Sequence, residues 1–80
     1  MRLPRDVSGK NLIKALQRNG YVISRQAGSH VRLTKRKPEE RHISVPLHET
    51  LHIGTLSSIL HEVADHMEVT RNELLKLLFD

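Results

Sequence analysis

The side chains best suited to acid–base chemistry lie near the middle of the chain. Gly28-Ser29-His30 places a histidine directly after a glycine turn, at the start of a predicted strand. Histidine is the one side chain whose ordinary pKa, about 6.5, makes it a usable acid and a usable base near neutral pH. Arg25 and Arg32 flank it in the sequence. A histidine among arginines suits cleavage of a phosphodiester, because one group moves protons while the others stabilise charge on the phosphate.

Helical periodicity and β-alternation predict the elements that position these side chains. Ser8 is the expected N-cap of a first helix that runs to about Asn19, and Gly20 is placed to end it in the left-handed conformation. Three strands, one turn and one loop follow: strands 21–24, 30–35 and 41–45, a tight turn at 26–28 and a polar loop at 36–40. A second helix opens at 54–55, and a capping box at 70–73 opens a short third helix. The order α-β-β-β-α with a terminal helix predicts an α+β fold.

Alternation along the second and third strands separates their side chains into two faces. The apolar residues should face the core: Val31, Leu33, Ile43 and Val45. The polar residues should share the other face: His30, Arg32, Thr34, His42 and Ser44. A hairpin centred near Pro38 would pair Arg32 with Ser44, Thr34 with His42, and His30 with Pro46. His48 follows closely and is the candidate second catalytic group, although its position is equally compatible with a solvent-exposed loop histidine. His42 is interpreted as an ordinary surface histidine.

Length, composition and charge restrict the class of protein. Eighty residues predict a single domain, without cysteine and therefore without disulfides or a thiolate nucleophile. No apolar run is long enough for a membrane span or a signal peptide, so the expected location is cytoplasmic. Residues 1–41 carry eleven of the thirteen lysines and arginines and a formal charge of +8, while residues 42–80 carry −4. This segregation indicates a polyanion partner, and a nucleic acid is favoured over the alternative of a solvated surface tuned for solubility.

The candidate RNA-binding residues surround the histidine and extend into the basic loop. They are Arg25, Gly28, Ser29, Arg32, Lys35, Arg36 and Lys37. A functional role is favoured for Arg25 and Arg32, whereas the loop residues are equally compatible with a solvated surface. Lys10, Lys14 and Arg18, on one face of the first helix, form an alternative track. Since only Tyr21 and Phe79 are aromatic, contact through the RNA backbone and shape is expected rather than base stacking.

Four short motifs, in order, resemble the HicA family of toxin ribonucleases from bacterial toxin–antitoxin pairs. The motifs are Asn19-Gly20-Tyr21, Gly28-Ser29-His30, Val45-Pro46-Leu47-His48, and Gly54-Thr55-Leu56 with Ile59-Leu60. The resemblance covers about residues 8–66 and implies a fold like the double-stranded RNA-binding domain. It also implies cleavage of messenger RNA with His30 as the catalytic histidine, and a HicB-like antitoxin that blocks the toxin. No cofactor is implied.

Some positions depart from the family pattern. Glu49 and His52 stand where basic residues are common, and Ser57 stands where a basic residue often follows the glycine-threonine-leucine motif. Weaker phosphate contact from the second helix is one consequence. The segment 70–79 extends past the shared core, and its acidic surroundings leave self-association open.

Two other functions, and a metal site, are alternatives to an acid–base ribonuclease. A non-catalytic double-stranded RNA-binding module would have the same fold, with His30 incidental. A DNA-binding helix-turn-helix within residues 54–79 is disfavoured, because those helices are net acidic. His48 and His52 are four residues apart, but Pro46 and Gly54 argue against a helix between them, so no metal site is predicted.

Overall fold

The computed structural model describes residues 3–80 and has three helices and three strands. In chain order they are α1 (Gly9–Arg18), β1 (Val22–Ala27), β2 (His30–Lys35), β3 (Arg41–Pro46), α2 (Ile53–Met67) and α3 (Arg71–Phe79). The strands form one antiparallel sheet in the order β1-β2-β3. The predicted α+β fold, like a double-stranded RNA-binding domain, is confirmed. Among these residues, no helix combines the length and apolar character that crossing a membrane requires.

The ends of α1 are determined by the residues that the sequence indicated. The Ser8 hydroxyl accepts a hydrogen bond from the Asn11 amide at 3.0 Å, which satisfies one of the free N–H groups at the helix start. Gly20 follows the helix with φ of +97°, a conformation that side-chain-bearing residues rarely adopt. Leu12, Ile13 and Leu16 are buried on the inner face of the helix.

The first hairpin differs from the prediction. β1 continues to Ala27, beyond the predicted end at residue 24, and the turn consists of Gly28 and Ser29 rather than residues 26–28. Gly28 has φ of +58° at the first central position, as a type II′ turn requires. The twist of such a turn matches that of the strands, so strand pairing continues up to the turn. A β-bulge also lies between Ile23 and Arg25, and single-sequence alternation does not reveal it.

The register of β2 and β3 agrees with the prediction. His30 pairs with Pro46, Arg32 with Ser44, and Thr34 with His42. The four residues predicted to face the core are all buried: Val31, Leu33, Ile43 and Val45. α1 packs against β1 and β3, and α2 packs against β3, so the helices cover this side of the sheet. The opposite side carries the side chain of His30 and is called the open face below; among residues 3–80, no helix packs against it.

The C-terminal helix α3 is part of the same hydrophobic core. Leu74, Leu75 and Leu78 are buried in one cluster with the inner residues of α1 and α2. The Arg18 guanidinium donates to the Leu78 carbonyl at 3.2 Å, which ties α1 to the end of α3. The helix begins with the predicted capping box, formed by Thr70 and Glu73. Most of the apolar surface of this helix is therefore buried within the chain, and its exposed side is polar apart from Leu77.

A buried histidine that the sequence reasoning did not single out joins α2 to the rest of the fold. His66 Nε2 lies 2.6 Å from the Glu39 carbonyl, and its Nδ1 lies 2.8 Å from the Tyr21 hydroxyl. Since a carbonyl only accepts, Nε2 carries the hydrogen and Nδ1 accepts from Tyr21. Burial raises the pKa of Tyr21 to about 12. His66 continues the α2 stripe of Ile59 and Val63 at helical spacing, which is the signal that would have identified it.

The start of α1 lies against the end of β3, and Gly9 makes this contact possible. The Gly9 amide donates to the His48 carbonyl at 2.9 Å. A methyl group on Gly9 would overlap the carbonyl oxygen of Pro46, which belongs to the backbone and cannot rotate away. The close approach therefore requires glycine at this position.

We predict opposite effects for alanine at two helical glycines. Gly9→Ala should destabilise the protein by about 1–3 kcal/mol, because the added methyl forces α1 away from β3. Gly54→Ala is the matched control: nothing lies within 4 Å of its added methyl, so the gain in helix propensity should leave stability unchanged or raise it by up to about 1 kcal/mol. Urea unfolding measures both. Equal stabilities for the two variants would contradict the close contact at Gly9.

Candidate active site

His30 lies exposed on the open face of the sheet, at the first position of β2. Its neighbours across the sheet are Ala27 on β1 and Pro46 on β3. Within residues 3–80, the histidine hydrogen bonds and ion pairs involve His42 and His66, not His30. An exposed imidazole with both nitrogens free can exchange protons with a ligand that approaches this face.

Arg25 and Arg32 are directly opposite each other, one step along the sheet from His30. Like charges at directly opposed positions of an antiparallel sheet repel and destabilise the pairing. Within the part of the chain described, no carboxylate forms a salt bridge with either arginine. Arg32 Nε is in addition buried without a hydrogen-bond partner, at a typical cost of about 1–3 kcal/mol for such a group. An anion bound between the two arginines would relieve their mutual repulsion.

Backbone hydrogen bonds bring three distant segments together beside His30. The Leu47 amide donates to the Ser29 carbonyl at 2.6 Å, which fixes the end of β3 against the hairpin turn. The candidate second group, His48, follows directly. His48 lines a shallow cavity of about 350 Å³ with Ser8 and Lys10, a cavity that His30 does not line. The structure thus brings the segment before His48 close to the turn that precedes His30, and His48 itself lies beside the start of α1.

The basic loop lies away from the histidine. Lys35 alternates onto the core-facing side of β2, and its ammonium donates to the Lys37 carbonyl at 3.1 Å. Arg36 forms an ion pair with Glu40 at 3.7 Å. Of the predicted RNA-binding residues, the structure therefore groups Arg25 and Arg32 with His30 and the Gly28-Ser29 turn. It does not add the side chains of residues 35–37 to that group.

Arg41 and the two loop histidines lie apart from this group. The Arg41 guanidinium donates to Asp65 and to Glu39 at 2.8 Å each. Its hydrogen bond holds the pKa of the Asp65 carboxyl below its usual value, so the acidic partner stays ionised. His48 and His52 lie outside any helix. Within residues 3–80, no three side chains of the metal-binding types converge.

Sequence reasoning missed a polar network at the other end of the open face. Thr34 lies between Ser24 and His42, with its hydroxyl 2.8 Å from the Ser24 hydroxyl and 2.7 Å from His42 Nδ1. These residues border a cavity of about 500 Å³. Alternation placed Thr34 and His42 side by side, but the β-bulge that brings Ser24 to the same face was not visible in the sequence.

Comparison with protein families identifies the family of the chain. A family model described as the HicA toxin of bacterial toxin–antitoxin systems matches residues 9–64. The chain belongs to the HicA toxin family. The match runs from the start of α1 into α2 and includes the Gly28-Ser29-His30 turn, while α3 lies beyond it. A toxin of this family implies a HicB-type antitoxin as its partner. Neither curated proteins nor solved structures gave a match to this HicA chain.

The arginine pair of this HicA toxin should dominate its contact with RNA phosphates. We predict that Arg25→Gln with Arg32→Gln weakens binding to RNA of every sequence. The slope of log affinity against log salt should fall by about 0.7 for each phosphate contact removed. Fluorescence anisotropy in a His30→Ala background measures binding without cleavage. Lys10→Gln with Lys14→Gln is the charge-matched control on α1, and a larger loss of slope in that control would place the RNA along the helix instead.

Proposed function

We propose that this HicA toxin is an endoribonuclease that cleaves messenger RNA by acid–base catalysis at His30. The observation that carries the proposal is the position of His30, exposed beside two opposed arginines on a sheet face that no helix covers. The family membership supports a toxin role, and the open face supplies groups of the kind that phosphodiester cleavage requires.

The proposed reaction uses the 2′-hydroxyl of the RNA as the nucleophile. His30 removes the proton from that hydroxyl while its oxygen attacks the phosphorus. The bond from phosphorus to the 5′-oxygen breaks, and the leaving oxygen takes a proton from an acid, giving a 2′,3′-cyclic phosphate and a 5′-hydroxyl. Arg25 and Arg32 stabilise the charge that develops on the phosphoryl oxygens. A positioned histidine typically contributes about 10²–10⁴-fold to such a step.

His48 is the proposed general acid for the leaving oxygen. The hydrogen bond from the Leu47 amide to the Ser29 carbonyl holds the segment before His48 against the turn that precedes His30. His42 is less suited, because it is opposite Thr34, four residues along β2 from His30, and its Nδ1 is engaged there. A strand rises about 3.3 Å per residue, which puts Thr34 about 13 Å from His30.

The proposed brake on the activity is a HicB-type antitoxin that covers the open face. The arginine pair gives this face unpaired positive charge, and complementary charge accelerates association. An acidic antitoxin surface would thus occupy the position proposed for the RNA phosphates. The proposed site of action is the cytoplasm, where messenger RNA lies, and the toxin–antitoxin complex could hold more than one copy of the toxin through its polar surfaces.

The first experiment replaces the histidine. His30→Ala should fold normally, since the side chain is exposed, and should lose at least about 100-fold in RNA cleavage. His61→Ala, at an exposed position on α2, is the control and should cleave as the wild type does. Cleavage should survive EDTA and leave 2′,3′-cyclic phosphate ends. Full activity of folded His30→Ala would overturn the mechanism; specific binding without cleavage by the wild type would favour the non-catalytic RNA-binding module.

The second experiment tests the antitoxin. The HicB-type protein encoded beside the toxin should co-purify with it, abolish cleavage, and bury roughly 1,200–2,000 Å² in total. Arg25→Glu with Arg32→Glu should slow association with the antitoxin, whereas Lys76→Glu, on the exposed side of α3, should not. An inhibited complex in which His30 stays accessible to a histidine-modifying reagent would place the antitoxin elsewhere.

A further inference from the structure

The open face holds a second polar site at the end opposite to His30. Ser24, Thr34 and His42 form a continuous hydrogen-bonded row across all three strands. The Ser24 hydroxyl also donates to the Arg32 carbonyl at 3.3 Å. At the outer end of the row, His42 Nε2 lies 3.6 Å from a carboxylate oxygen of Glu40. The proposed cleavage reaction uses none of these side chains.

The direction of the hydrogen bonds in the row follows from its fixed end. Because Ser24 gives its hydrogen to the Arg32 carbonyl, its oxygen accepts from Thr34. Thr34 has then used its only hydrogen and accepts from His42 Nδ1. Each hydroxyl keeps one lone pair without a protein partner, so the row presents acceptors rather than donors to a ligand above it.

A cavity of about 500 Å³ lies over this row. Its walls include Val22, Arg36 and the Glu40 carboxylate. Glu40 touches Arg36 and His42 only at 3.7 and 3.6 Å, longer than a hydrogen bond, so its oxygens can still accept from a ligand. Val22 is 65 % exposed and gives the cavity an apolar surface. An apolar wall beside several acceptors matches a flat ring that carries N–H groups on its edge.

The separation of this cavity from His30 matches a short RNA segment. His30, Arg32 and Thr34 occupy alternate positions of β2, so successive open-face residues are about 7 Å apart. Successive phosphates of an extended single strand have a similar spacing. With the reacting phosphate held by His30 and the arginine pair, the distance of about 13 Å from His30 to Thr34 corresponds to about two such spacings, so the second nucleotide along the strand reaches the cavity.

We infer that this cavity, formed around Ser24, Thr34, Glu40 and His42, binds the nucleobase two nucleotides from the cleaved phosphate and prefers a base with an amino group. The inference rests on the proposed function and adds the residues that would give the ribonuclease a preference for certain RNA sequences. A carboxylate accepts from exocyclic amino groups, as it does from cytosine N4 in DNA recognition. Uracil has no amino group. A phosphate is disfavoured in this cavity, because Glu40 would repel it, whereas no carboxylate accompanies the arginine pair.

The test maps cleavage sites in an RNA pool with randomised sequence. For the wild type, RNAs with an amino-bearing base two nucleotides from the cut, on one side of it, should be cleaved about 5-fold or more as often as RNAs with uracil there. Glu40→Gln should remove most of this preference, since an amide has one acceptor instead of a carboxylate's two oxygens. Thr34→Val, which keeps the shape but loses the hydroxyl, should weaken it. Glu62→Gln on α2 is the matched control and should keep the wild-type preference.

Binding gives a second readout that does not depend on cleavage. In the His30→Ala background, replacing the amino-bearing base of a short RNA by uracil should weaken affinity several-fold, and Glu40→Gln should abolish that difference. Cleavage that depends on His30 but shows no base preference two nucleotides away would overturn the cavity assignment and leave the proposed function intact. RNA that is neither cleaved nor bound would overturn both. A preference that Glu40→Gln leaves unchanged would contradict the role of this carboxylate.

Discussion

The candidate site depends on the close approach of α1 to the end of β3. Gly9 permits this approach because any side chain there would overlap the Pro46 carbonyl. Where the two segments meet, the Gly9 amide donates a hydrogen bond to the His48 carbonyl, and the Leu47 amide donates one to the Ser29 carbonyl. His30 is therefore positioned by backbone hydrogen bonds between segments far apart in sequence. Backbone contacts of this kind leave the side chains free for a ligand.

The distribution of apolar residues explains why one face of the sheet can remain polar. All three helices contribute to a single core, and α3 supplies three of its buried leucines. A chain of 80 residues has little apolar surface to bury, and a core on one side of the sheet uses it efficiently. The other face needs no cover and can carry groups that are unfavourable for stability. Helix α3 thus contributes to the site without touching it, because its packing on α1 and α2 completes the core that holds the sheet.

The sequence was sufficient to predict the elements that depend on local chemistry. Capping by Ser8, the glycine after α1 and the alternation along β2 and β3 are properties of neighbouring residues, and the predicted register from His30 to Thr34 was correct. The features that were missed require knowledge of contacts across the fold. One example is the overlap with the Pro46 carbonyl that requires glycine at position 9. Others are the β-bulge that turns Ser24 to the open face and the burial of His66 between two elements. The turn was misplaced because a two-residue hairpin and a longer one share the same glycine signal.

For the same reason, the sequence was sufficient to group the arginines near His30 but not to predict that their charges repel each other directly. The sequence grouped Arg25 with Arg32 only because both flank His30, since Arg25 lay beyond the predicted end of the first strand; the pairing of β1 with β2 sets the two arginines directly opposite. Their mutual repulsion and the unpartnered Nε of Arg32 raise the free energy of the unliganded fold. Any anion that binds between the two guanidinium groups offsets their repulsion, whether it is an RNA phosphate or a carboxylate of the antitoxin. Under the proposed function, the RNA and the antitoxin therefore bind the same pair of guanidinium groups. Binding of one excludes the other without a conformational change.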